Sequence, residues 1–262
     1  MSSTTDSLKP DWLARIRARL HSDTATTQQS GRSADRVFFG LAAFWFLALT
    51  LFGFGPSFFF RPLFPHSEPL ATQLMVHGVV FSAWIAIYAA QTTLISARNV
   101  RAHRVLGASA FFLILLMIPV GLHTVLLKWA TGIDPVDETG FLLSLFVLIY
   151  GFALSGVALR KRPDVHKRLM FFATLVLVGA AASRATGIVG LGDDRVLRKL
   201  LSVAPGIALV AYDTAFRRRW LPLSLTLLGV VWAVEWFTVS DLIFMRPAGE
   251  VIVRTLAGIF VW

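Results

Sequence analysis

The 262-residue chain contains no cysteine. That excludes disulfides, thiolate metal sites, covalently attached c-type haem and Cys-ligated iron–sulfur clusters. A metal or haem here must be held by His, carboxylate, Met or Tyr. Charge is also scarce. Asp, Glu, Lys and Arg make up 15% of the chain, where a soluble domain carries about 25%. Several catalytic signatures are absent as well: there is no His-Glu-x-x-His pair, no phosphate loop and no Ser-His-Asp set that spacing can name. The last long apolar segment has no lysine, which argues against a retinal Schiff base. No apolar stretch follows a short basic start, so no signal peptide is expected.

What the chain does have is apolar surface in long runs. Hydrophobic residues are 56% of it and the mean hydropathy is +0.68. Seven apolar segments stand out, at 37–55, 71–96, 104–128, 139–159, 169–190, 200–216 and 220–242. Each is close to the roughly 20 residues that cross a hydrocarbon core as a helix. The expected fold is therefore all-α: a polytopic bundle of about seven transmembrane helices. Segment 200–216 is the weakest, being short and containing Pro205. The expected organisation is a polar basic tail (1–36), the bundle (37–246) and an apolar C-terminal segment (247–262) that packs or lies at the interface.

The net charge of +10 would suggest nucleic acid in a soluble protein. Here the basic residues flank the apolar runs, where they set topology. No nucleic-acid partner is expected. Most of the 25 Lys and Arg fall in the tail and in loops 97–104, 160–168 and 217–219. Asp134, Asp137, Glu138, Asp193 and Asp194 fall in the loops between them. The positive-inside rule then predicts an N-in, C-out protein. Within the tail, Trp12, Ile16 and Leu20 recur at helical spacing among Arg15, Arg17 and Arg19. That pattern suits either a basic helix on an anionic membrane face or a disordered tail.

Ionisable residues inside apolar segments are costly and mark functional candidates. His77, His123, Arg184 and Glu235 all fall at one leaflet, on four different segments. In the second segment Gln73, His77, Trp84, Tyr88 and Gln91 fall near one helical face. Gly78, beside His77, permits close approach of a helix or a flat ligand. Two readings are open: a cofactor or substrate cleft, or interhelical hydrogen bonding. His77 and His123 are a candidate ligand pair for haem b or for a copper or zinc ion. His66 lies in the loop before the second segment. Arg184 and Glu235 form either a structural ion pair or, through Arg184, a grip on an anionic group or quinone oxygen. At the other leaflet lie His103, Arg104, His166, Lys167 and Arg168, with Asp213. Snorkelling basic residues explain this set, while His103 and His166 form a weaker second candidate site.

The residues His77-Gly78, Trp84, Gln91, His103-Arg104-Val105-Leu106-Gly107 and His166-Lys167-Arg168-Leu169-Met170 carry a resemblance. Over about 100 residues the chain resembles uncharacterised bacterial multi-pass membrane proteins with a His-Arg-x-Leu-Gly signature. It is more loosely similar to cytochrome b561-type proteins, in which His pairs at two depths hold two haems. It differs from that type in having seven apolar segments and in carrying its His residues on segments two, three and five. The resemblance implies a bacterial inner-membrane protein with a redox or metal-binding role and a quinone or redox partner beside the lipid bilayer. A small-molecule or proton-coupled transporter and a non-catalytic assembly subunit are the alternatives from other classes.

Overall fold

The computed structural model describes residues 11–65, 69–191, 195–237 and 247–261; for residues 11–30, 32, 195, 236, 237, 247 and 248 the description is of the backbone. The expected positions His66, Ser67, Glu68, Asp193, Asp194 and Trp262 lie outside the described residues, as do the side chains of Trp12, Ile16 and Leu20.

The described chain is helical throughout, with no strand among the described residues. Helix α1 runs over Asp11–Phe54. It passes into a π-helical turn at Gly55–Phe59 and a short 3₁₀ turn at Arg61–Leu63. Then follow α2 (Thr72–Ser96), α3 (Val100–Ala130), α4 (Val136–Ala158) and α5 (Pro163–Ile188). The chain ends with α6 (Arg195–Phe216), α7 (Leu221–Phe237) and α8 (Pro247–Phe260). Among the described residues six helices are long and apolar enough to cross a membrane, and the weakest expected segment, on α6, is among them. The segment expected at 220–242 is helical over Leu221–Phe237. The polar tail is no separate short helix. Its residues 11–36 continue directly into the first apolar segment, making α1 44 residues long.

Local chemistry sets the helix ends. The backbone leaves α2 through Arg98 in the left-handed region (φ 59°). Asn99 then caps α3, its side chain accepting from the Ala102 N–H at 3.0 Å, which satisfies one of the orphan donors at a helix start. Pro163 opens α5 where a missing N–H costs nothing. Asp137 and Glu138 in the first turn of α4 complement its dipole.

Helix α5 is the axis of the bundle. Arg168, Phe171, Phe172, Ala173 and Thr174 on it are fully buried. Phe46 from α1, Trp84 and Tyr88 from α2, Ile114 and Met117 from α3, and Leu209 from α6 close around it. Close approach needs small residues. A Cβ on Gly53 would stand 2.3 Å from the Ala181 carbonyl oxygen, so only glycine lets α1 lie against α5 there. A second, smaller core joins Leu126 of α3, Leu143 of α4 and Val253 of α8. The C-terminal helix is thereby packed onto the bundle.

Candidate functional site

At the basic end of the bundle, where the loops rich in Arg and Lys lie, four helices meet in a network of charges. Arg168 on α5 has no exposed surface, and neither do Asp213 on α6 and Ser224 on α7. The Arg168 guanidinium pairs with both Asp213 carboxylate oxygens, Nε donating to Oδ2 at 2.9 Å. It also donates to Ser224 Oγ at 3.2 Å and to the Asp164 carbonyl at 2.9 Å. Ser224 donates to Asp213 at 2.5 Å, and the Trp220 ring lies 5.4 Å from the guanidinium carbon. A burial this deep is tolerable only because nearly every donor finds an acceptor. The snorkelling expected of Arg168 therefore does not occur: an acid at the same depth makes the interior cheaper than the interface.

A second, half-buried layer surrounds this pair. Asp35 on α1 accepts from Lys167 (2.8 Å), from the Tyr212 hydroxyl (2.6 Å) and from Arg217. The hydrogen bonds that Arg217 donates to Asp35 push its guanidinium pKa up from the ordinary value. Asp164 pairs with Lys167 at 2.6 Å and with Arg219 at 3.3 Å. Sequence reasoning missed Asp35, Tyr212 and Ser224. The available signal for Ser224 was depth: it lies as far from the start of α7 as Asp213 lies from the end of α6.

Beside this network the structure brings His103 and His166 together, their ring centres 6.4 Å apart and their planes perpendicular. His166 Nδ1 lies 2.8 Å from the Gly156 carbonyl. A carbonyl only accepts, so Nδ1 carries the proton and Nε2 keeps its lone pair. His103 Nδ1 is buried with no hydrogen-bond partner, as is Oε1 of Gln91. The Gln91 amide nitrogen lies 3.4 Å from where a Cβ on Gly107 would stand, so Gly107 leaves room for that side chain. Gln91 thus belongs with the inner histidines rather than with His77.

The expected α2 stripe does not line one cleft. Trp84 is 2% exposed, and its indole N–H donates to the Thr174 hydroxyl at 3.1 Å. Tyr88 is buried with its ring 5.7 Å from Phe46. Both fill the core between α2 and its neighbours.

At the opposite end the expected residues part company. His77 stacks on Phe81, ring centres 4.2 Å apart and planes 18° from parallel, with a buried, unpartnered Nδ1. His123 instead places Nδ1 2.7 Å from the Phe260 carbonyl of α8. Arg184 lies 4.4 Å from the Phe54 ring centre and makes one long hydrogen bond, 3.4 Å to Ala180 O. No ion pair joins it to Glu235 among the described residues. A Glu235 carboxylate oxygen lies 3.6 Å from the Cβ position of Gly179, and the Glu235 backbone carbonyl accepts from Lys199.

Among the described residues no group of three or more His, Asp or Glu is placed to hold a metal. The chain matches no protein-family model, no curated protein and no solved structure.

Proposed function

We propose that this chain is a seven-span inner-membrane protein, N-terminus inside and C-terminus outside, that holds one transition-metal ion at the His103–His166 pair in a redox or metal-handling role. The spacing of the two imidazoles carries this reading. A metal–nitrogen bond of about 2.0–2.1 Å places an imidazole centre about 3.2 Å from the metal, so two rings on one ion would lie about 5.2 Å apart in a tetrahedral site and about 6.4 Å apart when they face each other across it. The observed separation is 6.4 Å. The Nδ1–H to Gly156 carbonyl bond is the outer contact that orients a ligating histidine and directs Nε2. Gln91 Oε1, buried without a donor, is available as an oxygen ligand.

These residues suit an ion better than haem b. The space beside the rings is taken by Gln91, which rests against Gly107, whereas a porphyrin needs a slot across several helices. Among divalent first-row metals a nitrogen and oxygen site binds copper most strongly, and copper accepts ligands on opposite sides, which tetrahedral zinc does not. Copper, when bound, supplies one-electron chemistry toward a quinone or a redox partner. His103 and His166 would bind it, and the Gly156 carbonyl would hold the His166 tautomer.

The test is metal content of the purified protein after chelation and reloading with copper or zinc. About one ion per chain is expected, and the double variant His103→Ala with His166→Ala loses it. His77→Ala with His123→Ala keeps it. A double inner variant that still carries one ion per chain sinks the proposal. So does a b-type haem spectrum that survives in it.

A further inference from the structure

We propose that the groove between α6 and α7 holds one acyl chain of an anionic phospholipid, with the phosphate at Lys199. The groove has a volume of about 320 Å³. Leu200, Val203 and Ile207 form its α6 side, and Leu225, Gly229 and Trp232 its α7 side. These positions recur at three- and four-residue spacing, so each helix presents one face. Val203 is the buried floor, while Leu200, Ile207, Leu225 and Trp232 are half-exposed walls. Helix α6 is long and apolar enough to cross a membrane, so the medium around these walls is hydrocarbon. An empty slot there forfeits its contacts, which favours an apolar occupant. Gly229 points to a ligand. A Cβ on it would meet nothing within 4 Å, so no neighbouring helix requires the glycine. A mid-helix glycine weakens its helix, and close approach of a group that the chain itself does not supply accounts for this one. On the facing helix Gly206 takes in the Leu228 side chain, since a Cβ there would stand 2.8 Å from Leu228 Cδ1. Leu228 is thereby drawn to the floor.

Size and charge select the occupant. Lys199 and Trp232 stand at one end of the groove, near the start of α6 and the end of α7, and Ile207 and Leu225 stand at the other. From Lys199 to Ile207 is about 12 Å along the helix. The mean cross-section is then about 27 Å². A helix about 10 Å across needs about 80 Å², so no partner helix seats in it. A single hydrocarbon chain, about 4–5 Å thick by carbon contact distances, does. The polar end is cationic. Lys199 donates to the Glu235 backbone carbonyl, which holds its ammonium at the mouth. The Glu235 carboxylate is turned to α5, with an oxygen 3.6 Å from the Cβ position of Gly179. A cation over an apolar slot complements a lipid with a negative headgroup. Trp232 beside it is the amphipathic ring suited to headgroup depth.

The test uses the full chain, delipidated in neutral detergent and titrated by native mass spectrometry. The probes are palmitoyl-oleoyl phosphatidylglycerol, the zwitterionic palmitoyl-oleoyl phosphatidylcholine and a long-chain ubiquinone. Phosphatidylglycerol is expected to bind most tightly, at one per chain. Gly229→Leu fills the groove without a clash and is expected to weaken that binding about tenfold. Gly151→Leu, at an exposed glycine of α4 that also has open space over it, leaves the binding unchanged. Lys199→Gln is expected to cost about fivefold and to remove the preference over phosphatidylcholine. Metal content at the inner pair stays unchanged in all three variants, which separates this site from the metal reading. Wild-type phosphatidylglycerol affinity in Gly229→Leu, or an equal loss in Gly151→Leu, overturns the proposal. So does tighter binding of phosphatidylcholine or of the quinone by the wild-type chain. Should Gly229→Leu fail to run as a monodisperse species, Ile207→Phe, which thickens the opposite wall, decides in its place.

Discussion

Helix α5 carries an arginine near each end, and the fold treats them in opposite ways. Arg168 is wholly buried and saturated by Asp213, Ser224 and the Asp164 carbonyl. Arg184, about 24 Å away along the helix, has a phenyl ring and one long bond to its own helix. Both are ionisable groups inside an apolar segment, so position alone would rank them equally as functional candidates. Satisfaction separates them. A buried charge tied to acceptors on α6 and α7 holds helices together, whereas Arg184 is an exposed side chain that ties no second helix by a hydrogen bond. The same criterion separates the histidines. His123 is spent on the C-terminal helix, while His77 and His103 each keep a buried nitrogen without a partner.

The largest expected effect comes from breaking the saturated end. Asp213→Ala leaves the Arg168 charge buried and unpaired, which costs about 3–5 kcal/mol. Unfolding in detergent should show it, along with loss of the monodisperse form. Removing both charges, as Arg168→Met with Asp213→Leu, should recover most of that loss, because an apolar replacement of a buried pair is often neutral. A double variant as unstable as the single one would show that the pair does more than hold helices.

The two ends are joined by the seam between α1 and α5, which Asp35 and Lys167 close at one end and Phe54 and Arg184 at the other. Gly53→Ala places a methyl group against the Ala181 carbonyl and should cost about 1–3 kcal/mol by overpacking. The same variant should leave metal at the inner pair and phospholipid in the α6–α7 groove intact. Thermal unfolding and the two binding assays check these outcomes.

Much of the architecture was legible in the sequence, because hydrocarbon imposes length and polarity rules on every crossing. Each apolar segment falls on a helix, six of them long and apolar enough among the described residues to cross a membrane, although α1 begins well before its segment and the seventh is described only to Phe237. Partnership was not legible. Depth placed His77, His123, Arg184 and Glu235 in one leaflet, but depth carries no information about rotation or helix neighbours. Rotation turns His123 toward α8 and leaves Arg184 on α1. The stripe on α2 had a sound periodicity, yet Trp84 on it is a packing residue because Thr174 offers its hydroxyl from α5. Gln91, on the same face, has no such acceptor or donor at its oxygen. The charges of the basic end misled most. Orientation signals are exposed, so Arg168 was read with them, although an acid at its depth made a buried pair available.

Trp84 allows the comparison to be sharpened in the core itself. Trp84→Phe removes the indole donor to Thr174, while the Thr174 hydroxyl still donates to Met170 O at 2.9 Å. The loss should be about 1 kcal/mol, that of one net hydrogen bond, with metal and phospholipid binding unaltered. A collapse of either binding activity would restore the α2 stripe to a functional role.

The smallest effect on stability belongs to Arg184. Arg184→Gln gives up the contact with Phe54, worth about 0.5–1 kcal/mol at an exposed site. It also relieves the chain of a charge held without a counter-ion in an apolar segment, which runs the other way. The two terms nearly cancel, so unfolding should shift by no more than about 0.5 kcal/mol, within the range of an ordinary surface change. Set beside Asp213→Ala, which strips Arg168 of its partner, the contrast is several-fold between two arginines of α5. If Arg184→Gln instead destabilises as strongly as Asp213→Ala, the guanidinium is a structural tie and satisfaction does not separate the two ends.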